Sequence, residues 1–157
     1  MLGSPAKRAA VQAVLAALLH THPGALQATS GLCVAECMVA ARRILDDPAR
    51  DAAERAFTSL FEAPGLQVVA VTAAVLDHAA SLRAQALRRA ACATQPGASA
   101  NGGRLRLPDA IIAASCLVFN PPAVLVTENE SDFGWTDAQG VRVQVGGLEV
   151  VNVVPHP

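Results

Sequence analysis

The sequence predicts one α/β domain, residues 1–157, with a mostly parallel sheet. Three observations lead there. Short valine-containing runs alternate with longer helical stretches, which is the pattern of strands and helices wound into βα units. Proline and glycine clusters fall between these runs, at His22-Pro23-Gly24, Asp46-Asp47-Pro48, Pro64-Gly65 and Asn120-Pro121-Pro122. The stretch 105–133, LRLPDAIIAASCLVFNPPAVLVTENESDF, passes from helix to strand with an acidic residue at the start of one and a cluster of them at the end of the other. In an open α/β sheet, ligands bind at the carboxyl ends of strands, so acids crowded there mark a candidate site.

Each element has a local reason. Ser4-Pro5 starts a first helix, and Val11, Val14, Leu15, Leu18 and Leu19 fall on one apolar stripe, the spacing of an amphipathic helix and not of a secretory leader. Ala25–Ser30 reads as a strand. Gly31 leads into a helix over Leu32–Leu45, and a third helix spans Pro48–Glu62 with Phe57, Leu60 and Phe61 expected to face inward. Leu66–Thr72 is the next strand and Ala73–Ala93 a long alanine- and arginine-rich helix, with Val75, Leu76, Leu82 and Leu87 its larger apolar residues. The loop TQPGASANGG precedes a helix from Pro108 to Phe119. Proline suits a first helical turn because its missing N–H has no partner there, and Asp109 suits the positive end of the helix dipole. Prolines 121 and 122 stop that helix, and Ala123–Thr127 reads as a buried parallel strand. Two valine-alternating runs, 141–145 and 148–154, separated by Gly146-Gly147, read as a hairpin or as two edge strands.

Composition narrows the function classes. Hydrophobic residues make up 52% and charged residues 16%, but no apolar run approaches the ~20 residues of a membrane span. A formal net charge of −1 carries no global basic field, so any nucleic-acid binding must rest on local charge. The four cysteines, Cys33, Cys37, Cys92 and Cys116, lie in helical stretches without paired short spacings, which points to reduced, buried thiols in a cytoplasmic protein. There is no G-x-S-x-G, no P-loop lysine and no histidine paired with a reactive cysteine, and His20, His22, His78 and His156 read as surface residues.

The chemistry-bearing candidates are acids. Glu36 is the only charge in LCVAECMVAA, residues 32–41; a helix apolar on nearly every side is buried, and a glutamate inside one is paired or binds a metal, unless it points up a solvent-facing edge. Asp109 by itself is what any first helical turn attracts. Glu128, Glu130 and Asp132 suit a solvated loop equally well. Between Asp77 and Asp109 no acid occurs, whereas Arg83, Arg88, Arg89, Arg104 and Arg106 are all basic. These could neutralise a phosphate backbone or line a solvated helix face.

Taken together, three segments resemble the PIN-domain family, in particular the VapC-like ribonuclease toxins. SGLCVAECMVAARR, residues 30–43, is similar to the family's strand-end serine or threonine followed by a helical glutamate. LRLPDAIIAASCL, residues 105–117, is similar to its L-x-x-x-D-A-x-I-A-A-x-A helix, and VLVTENESDF, residues 124–133, to its T-x-[D/N]-x-x-[D/E]-F strand exit. Order and spacing agree over Ala9–Val153.

The resemblance implies a three-layer α/β/α sandwich whose acids share a cleft. Glu36 and Asp109 take the family's second and third acidic positions; Asn129 holds the fourth, with Asp132 the nearest carboxylate to stand in for it. It also implies Mg²⁺ or Mn²⁺ as cofactor, RNA as substrate, with Arg104, Arg106 and Arg89 beside the site, and an antitoxin protein as partner, and it leaves a homodimer open. The first acid, borne on the family's opening strand, has no counterpart here: the chain starts at MLGSPAKRAAVQ, which resembles the helix after that strand. The expectation is therefore a chain lacking its opening strand through a start assigned too far downstream, poorly stable and weakly active or inactive. An in-frame upstream run of roughly 10–15 codons, enough for one strand and turn, would end in hydrophobic-Asp-Thr/Ser. Two functions follow: a metal-dependent endoribonuclease toxin, or a PIN-like module that binds RNA or antitoxin without cleaving.

Overall fold

The protein's structure, a computed structural model, describes residues 5–92, 105–119, 123–127, 133–136 and 142–152. It is α/β, with five α-helices and six short strands among the described residues. The chain divides into two compact units, the first ending at Ala70 and the second beginning at Val71.

The first unit runs α1 (Pro5–Thr21), β1 (Gln27–Ser30), α2 (Gly31–Arg42), α3 (Asp47–Phe61) and β2 (Leu66–Val69). Val11, Val14, Leu15 and Leu18 of α1 are half-buried, as their stripe predicts, while Leu19 is exposed. β1 and β2 pair in parallel with Gln27 opposite Leu66 and Ser30 opposite Val69. Ser30 ends the strand and caps the next helix: its backbone is extended, and its hydroxyl oxygen accepts the Leu32 N–H at 3.3 Å. Asp46 does the same for α3, accepting from Ala49 N at 2.9 Å, with a proline in the first turn. Arg42 and Glu54, 3.5 Å apart, link α2 to α3. The Phe57 and Phe61 rings stack on α3 with centroids 6.2 Å apart. Leu60, expected to face inward with them, is 53% exposed instead. Residues 57 and 61 are one turn apart and share a face; residue 60 lies one position back from it, towards solvent.

The second unit contains α4 (Ala73–Cys92), α5 (Leu107–Leu117), β3 (Val124–Thr127), β4 (Gly134–Thr136), β5 (Arg142–Gln144), a 3₁₀ turn at Val145–Gly147 and β6 (Glu149–Asn152). The Thr72 hydroxyl accepts the Val75 N–H at 3.3 Å and starts α4. Its buried line is Val75, Ala79, Leu82 and Ala86, spaced as one helical face. Leu76 and Leu87, larger and more apolar than the two alanines, are 45% and 49% exposed. Size did not select the buried face. α4 packs on α5, whose own buried residues include Ala110, Ala113 and Ala114, and small side chains let two helices approach closely. Phe133 and Leu148 are the largest side chains sealed from solvent.

β3 pairs in parallel with β6, Val124 opposite Glu149 and Thr127 opposite Asn152. β4 and β5 form a separate antiparallel pair. The two valine-alternating runs of the tail therefore do not form a hairpin with each other; each finds its partner further back in the chain. The described residues contain two parallel pairs and one antiparallel pair, and no described helix is long and apolar enough to cross a membrane.

Candidate functional site

In the first unit, the β1–α2 junction positions Glu36. Because Ser30 is both the last residue of β1 and the cap of α2, the helix starts at the strand's carboxyl end, and Glu36 stands in its second turn. α2 is less enclosed than its composition predicts: Ala41 is its one buried residue and Glu36 is exposed. The expectation of a glutamate inside a helix buried on nearly every side is corrected accordingly. Alanine and cysteine fill much of α2, and helices of small residues can be apolar without being covered.

Glu36 also acts on the thiols of its own helix. Burial pushes the Cys33 thiol up from its ordinary range; a hydrogen bond with Thr29 opposes this, and the Glu36 carboxylate adds to it. Burial raises Cys37 as well, with Cys33 and Glu36 contributing, and raises Cys116 in the second unit. These three cysteines are free and half-buried, which agrees with reduced thiols more than with metal ligands, since the thiolate is the ligating and reactive form. Iodoacetamide should accordingly label all three more slowly near neutral pH than it labels the unfolded chain, with labelling rising as pH passes above the ordinary thiol range. Mass spectrometry after timed quenching checks this; equal rates in folded and unfolded protein would exclude it.

In the second unit, α5 begins at Leu107, with Arg106 as an extended cap residue at φ −69° and ψ 156°, a proline in the first turn and Asp109 beside it. Arg106 Nε donates to Asp109 Oδ2 at 3.1 Å. The arginine side chain is 66% exposed and the aspartate 13%. A carboxylate that sheltered is held by the positive end of a helix and by the guanidinium beside it. α5 packs against β3, to which it is joined by the short connection after Leu117.

Of the predicted site residues, the structure brings Asp109 and Arg106 together. Glu36 belongs to the first unit. Asn129, Asp132 and Arg104, with Glu128 and Glu130, lie outside the described residues, and Arg89 lies on α4 with its side chain outside them. Arg83 and Arg88 are exposed on α4, as are His20, His22 and His78 where they fall. Among the described residues no three His, Cys, Asp or Glu side chains gather as a metal site. The carboxylates and the amide that the sequence nominates are oxygen donors, the type that Mg²⁺ and Mn²⁺ take. What sequence reasoning missed is the Arg106–Asp109 pair. Its signal was available in the i,i+3 spacing, at which helical side chains meet.

No family model matches this chain, and no curated protein does. Among solved structures it is similar to the crystal structure of VapBC2 from Rickettsia felis bound to a DNA fragment from their promoter, at 16% identity and a TM-score of 0.48, covering 80% of this chain and 73% of that one. A likeness of that depth decides neither family nor activity.

Proposed function

We propose that the protein is a PIN-like, Mg²⁺- or Mn²⁺-dependent endoribonuclease, the cytoplasmic toxin of a type II toxin–antitoxin pair. The observation that carries this reading is the series Ser30–Glu36, Asp109 and Thr127–Asn129–Asp132, in the order and spacing of the VapC-like toxins. Local context supports two of its members: α2, which carries Glu36 in its second turn, starts at the carboxyl end of β1, and Asp109 stands in the first turn of α5. The carboxyl ends of parallel strands are where α/β proteins bind ligands.

In this reading Glu36, Asp109, Asp132 and the Asn129 amide are the residues that would hold the cation. When bound, it supplies a polarised phosphodiester and an activated water for in-line attack. The chain's own part is to hold Asp109 in the first turn of α5 and to neutralise phosphates with Arg104, Arg106 and Arg89. RNA is the substrate and an antitoxin protein the partner.

The test is Mn²⁺ titration by calorimetry. Saturable binding is expected for the wild type and is expected to be lost in Glu36→Ala and in Asp109→Ala. Retention in both variants would remove these carboxylates from the site. A second reading, a PIN-like module that binds RNA or antitoxin without cleaving, is favoured by one observation: Asp109 already has a cationic partner in Arg106. RNA binding without Mn²⁺ binding would select it.

The arginines carry their own prediction. Arg104→Ala with Arg106→Ala should weaken RNA binding and flatten the plot of log affinity against log salt by about 0.7 per lost single-strand phosphate contact. Filter binding across a salt series reads the slope. An unchanged slope would place both arginines on a solvated surface.

A further inference from the structure

We propose that Arg106 is the built-in counter-ion of Asp109, held on its carboxylate until a divalent cation displaces it. The inference rests on the nuclease reading and adds to it a competitor for the proposed ligand, supplied by the same chain.

The argument begins with where Arg106 sits. A cation at a helix N-terminus opposes the macrodipole, so an arginine in the cap position is locally unfavourable for α5. It does not act there as a side-chain cap. Its extended backbone leaves the side chain to reach forward over the first turn, where Nε meets Asp109 Oδ2 at 3.1 Å. The pairing therefore offsets a charge that the helix by itself disfavours.

Exposure gives the geometry of access. Asp109 is 13% exposed and Arg106 66%, so the carboxylate is mostly sheltered while its cationic partner is open to water. Arginine does not deprotonate in proteins, so the guanidinium leaves the carboxylate by being displaced and not by losing its charge. A pair whose guanidinium is open to water is weak, and a weak pair exchanges readily. A doubly charged ion attracts the same carboxylate more strongly and repels the guanidinium. Arg106, once displaced, stands at the edge of the cleft where the phosphate backbone would pass. That gives one residue two successive roles, and it explains why a phosphate-binding arginine would lie directly against an acid.

Calorimetric Mn²⁺ titration of the full chain, wild type against Arg106→Gln, Arg106→Lys and Asp109→Asn, tests this. Glutamine removes the charge and keeps much of the length, so Arg106→Gln should bind Mn²⁺ about five- to tenfold more tightly, as expected from deleting one positive charge near the cation. Arg106→Lys should stay near the wild type and Asp109→Asn should lose binding. In parallel, the arginine Nε–H signal that is lost in Arg106→Lys should shift on Mg²⁺ saturation in nuclear magnetic resonance spectra. A purely structural pair would lower the unfolding temperature of Arg106→Gln without tightening Mn²⁺ binding. Equal or weaker Mn²⁺ binding by Arg106→Gln overturns the counter-ion and leaves the nuclease reading standing. Absence of Mn²⁺ binding in the wild type overturns both.

Discussion

RNA cleavage in Mg²⁺ by the Asp109→Asn variant is expected to fall about 10²–10³-fold with the fold retained. The size follows from the role proposed for the carboxylate. A ligand that holds a cation against a phosphodiester contributes several kcal/mol to the transition state, and each 1.4 kcal/mol is about tenfold in rate. Retention of the fold follows from what Asp109 does locally. Its contribution to α5 through the helix dipole is roughly 0.3–1 kcal/mol, and its ion pair is with an arginine that is 66% exposed. Asparagine keeps the shape and can still accept a hydrogen bond from Arg106. Single-turnover cleavage of a short labelled RNA, with thermal unfolding measured alongside, separates the two effects. Cleavage at the wild-type rate would remove Asp109 from the chemistry. A large drop in unfolding temperature would mean that the loss of cleavage reports folding.

Gly146→Ala is expected to destabilise the second unit by about 2–5 kcal/mol, through backbone and packing together. Gly146 has φ of 62° and ψ of 14°, left-handed values that cost a residue with a Cβ roughly 1–2 kcal/mol. A Cβ built there would stand 2.8 Å from Leu117 Cδ1 and 3.2 Å from Leu82 Cδ2. Leu82 is 3% exposed and belongs to the buried line of α4, so the new methyl presses on packed side chains at the α4–α5 junction. The adjacent glycine is the control. Gly147 has φ of 73° with nothing within 4 Å of its would-be Cβ, so Gly147→Ala should bear the backbone cost alone. Denaturant unfolding of both variants reads the difference. Equal midpoints would show that Leu117 and Leu82 yield without cost.

Much of the helical framework was legible because its signals are local. Proline at the head of α5, Asp46-Asp47-Pro48 between α2 and α3, Pro-Gly after α3 and the prolines after Phe119 act on the residues next to them, whatever the rest of the chain does. The strand ending at Ser30 and the one ending at Thr127 were legible for the same reason, each lying between a turn signal and a polar or glycine boundary. So was the candidacy of Glu36 and Asp109, which needed only residue type, spacing and a family pattern.

Contacts between distant residues were not legible in that way. Leu60, Leu76 and Leu87 are apolar enough for a core and are exposed, while Ala79 and Ala86 are buried. Which face of a helix is covered depends on the partner's shape, and the partner of α4 presents alanines. The valine runs of the tail pair with β4 and β3, because strand pairing is completed by residues far away in sequence. β4, with three residues and no alternation, carries too little pattern to announce itself. Arginine 106 reads in sequence as a free cation for phosphate. Only the folded first turn of α5, which brings residues three apart onto one face and places a guanidinium over a sheltered carboxylate, makes it the partner of Asp109.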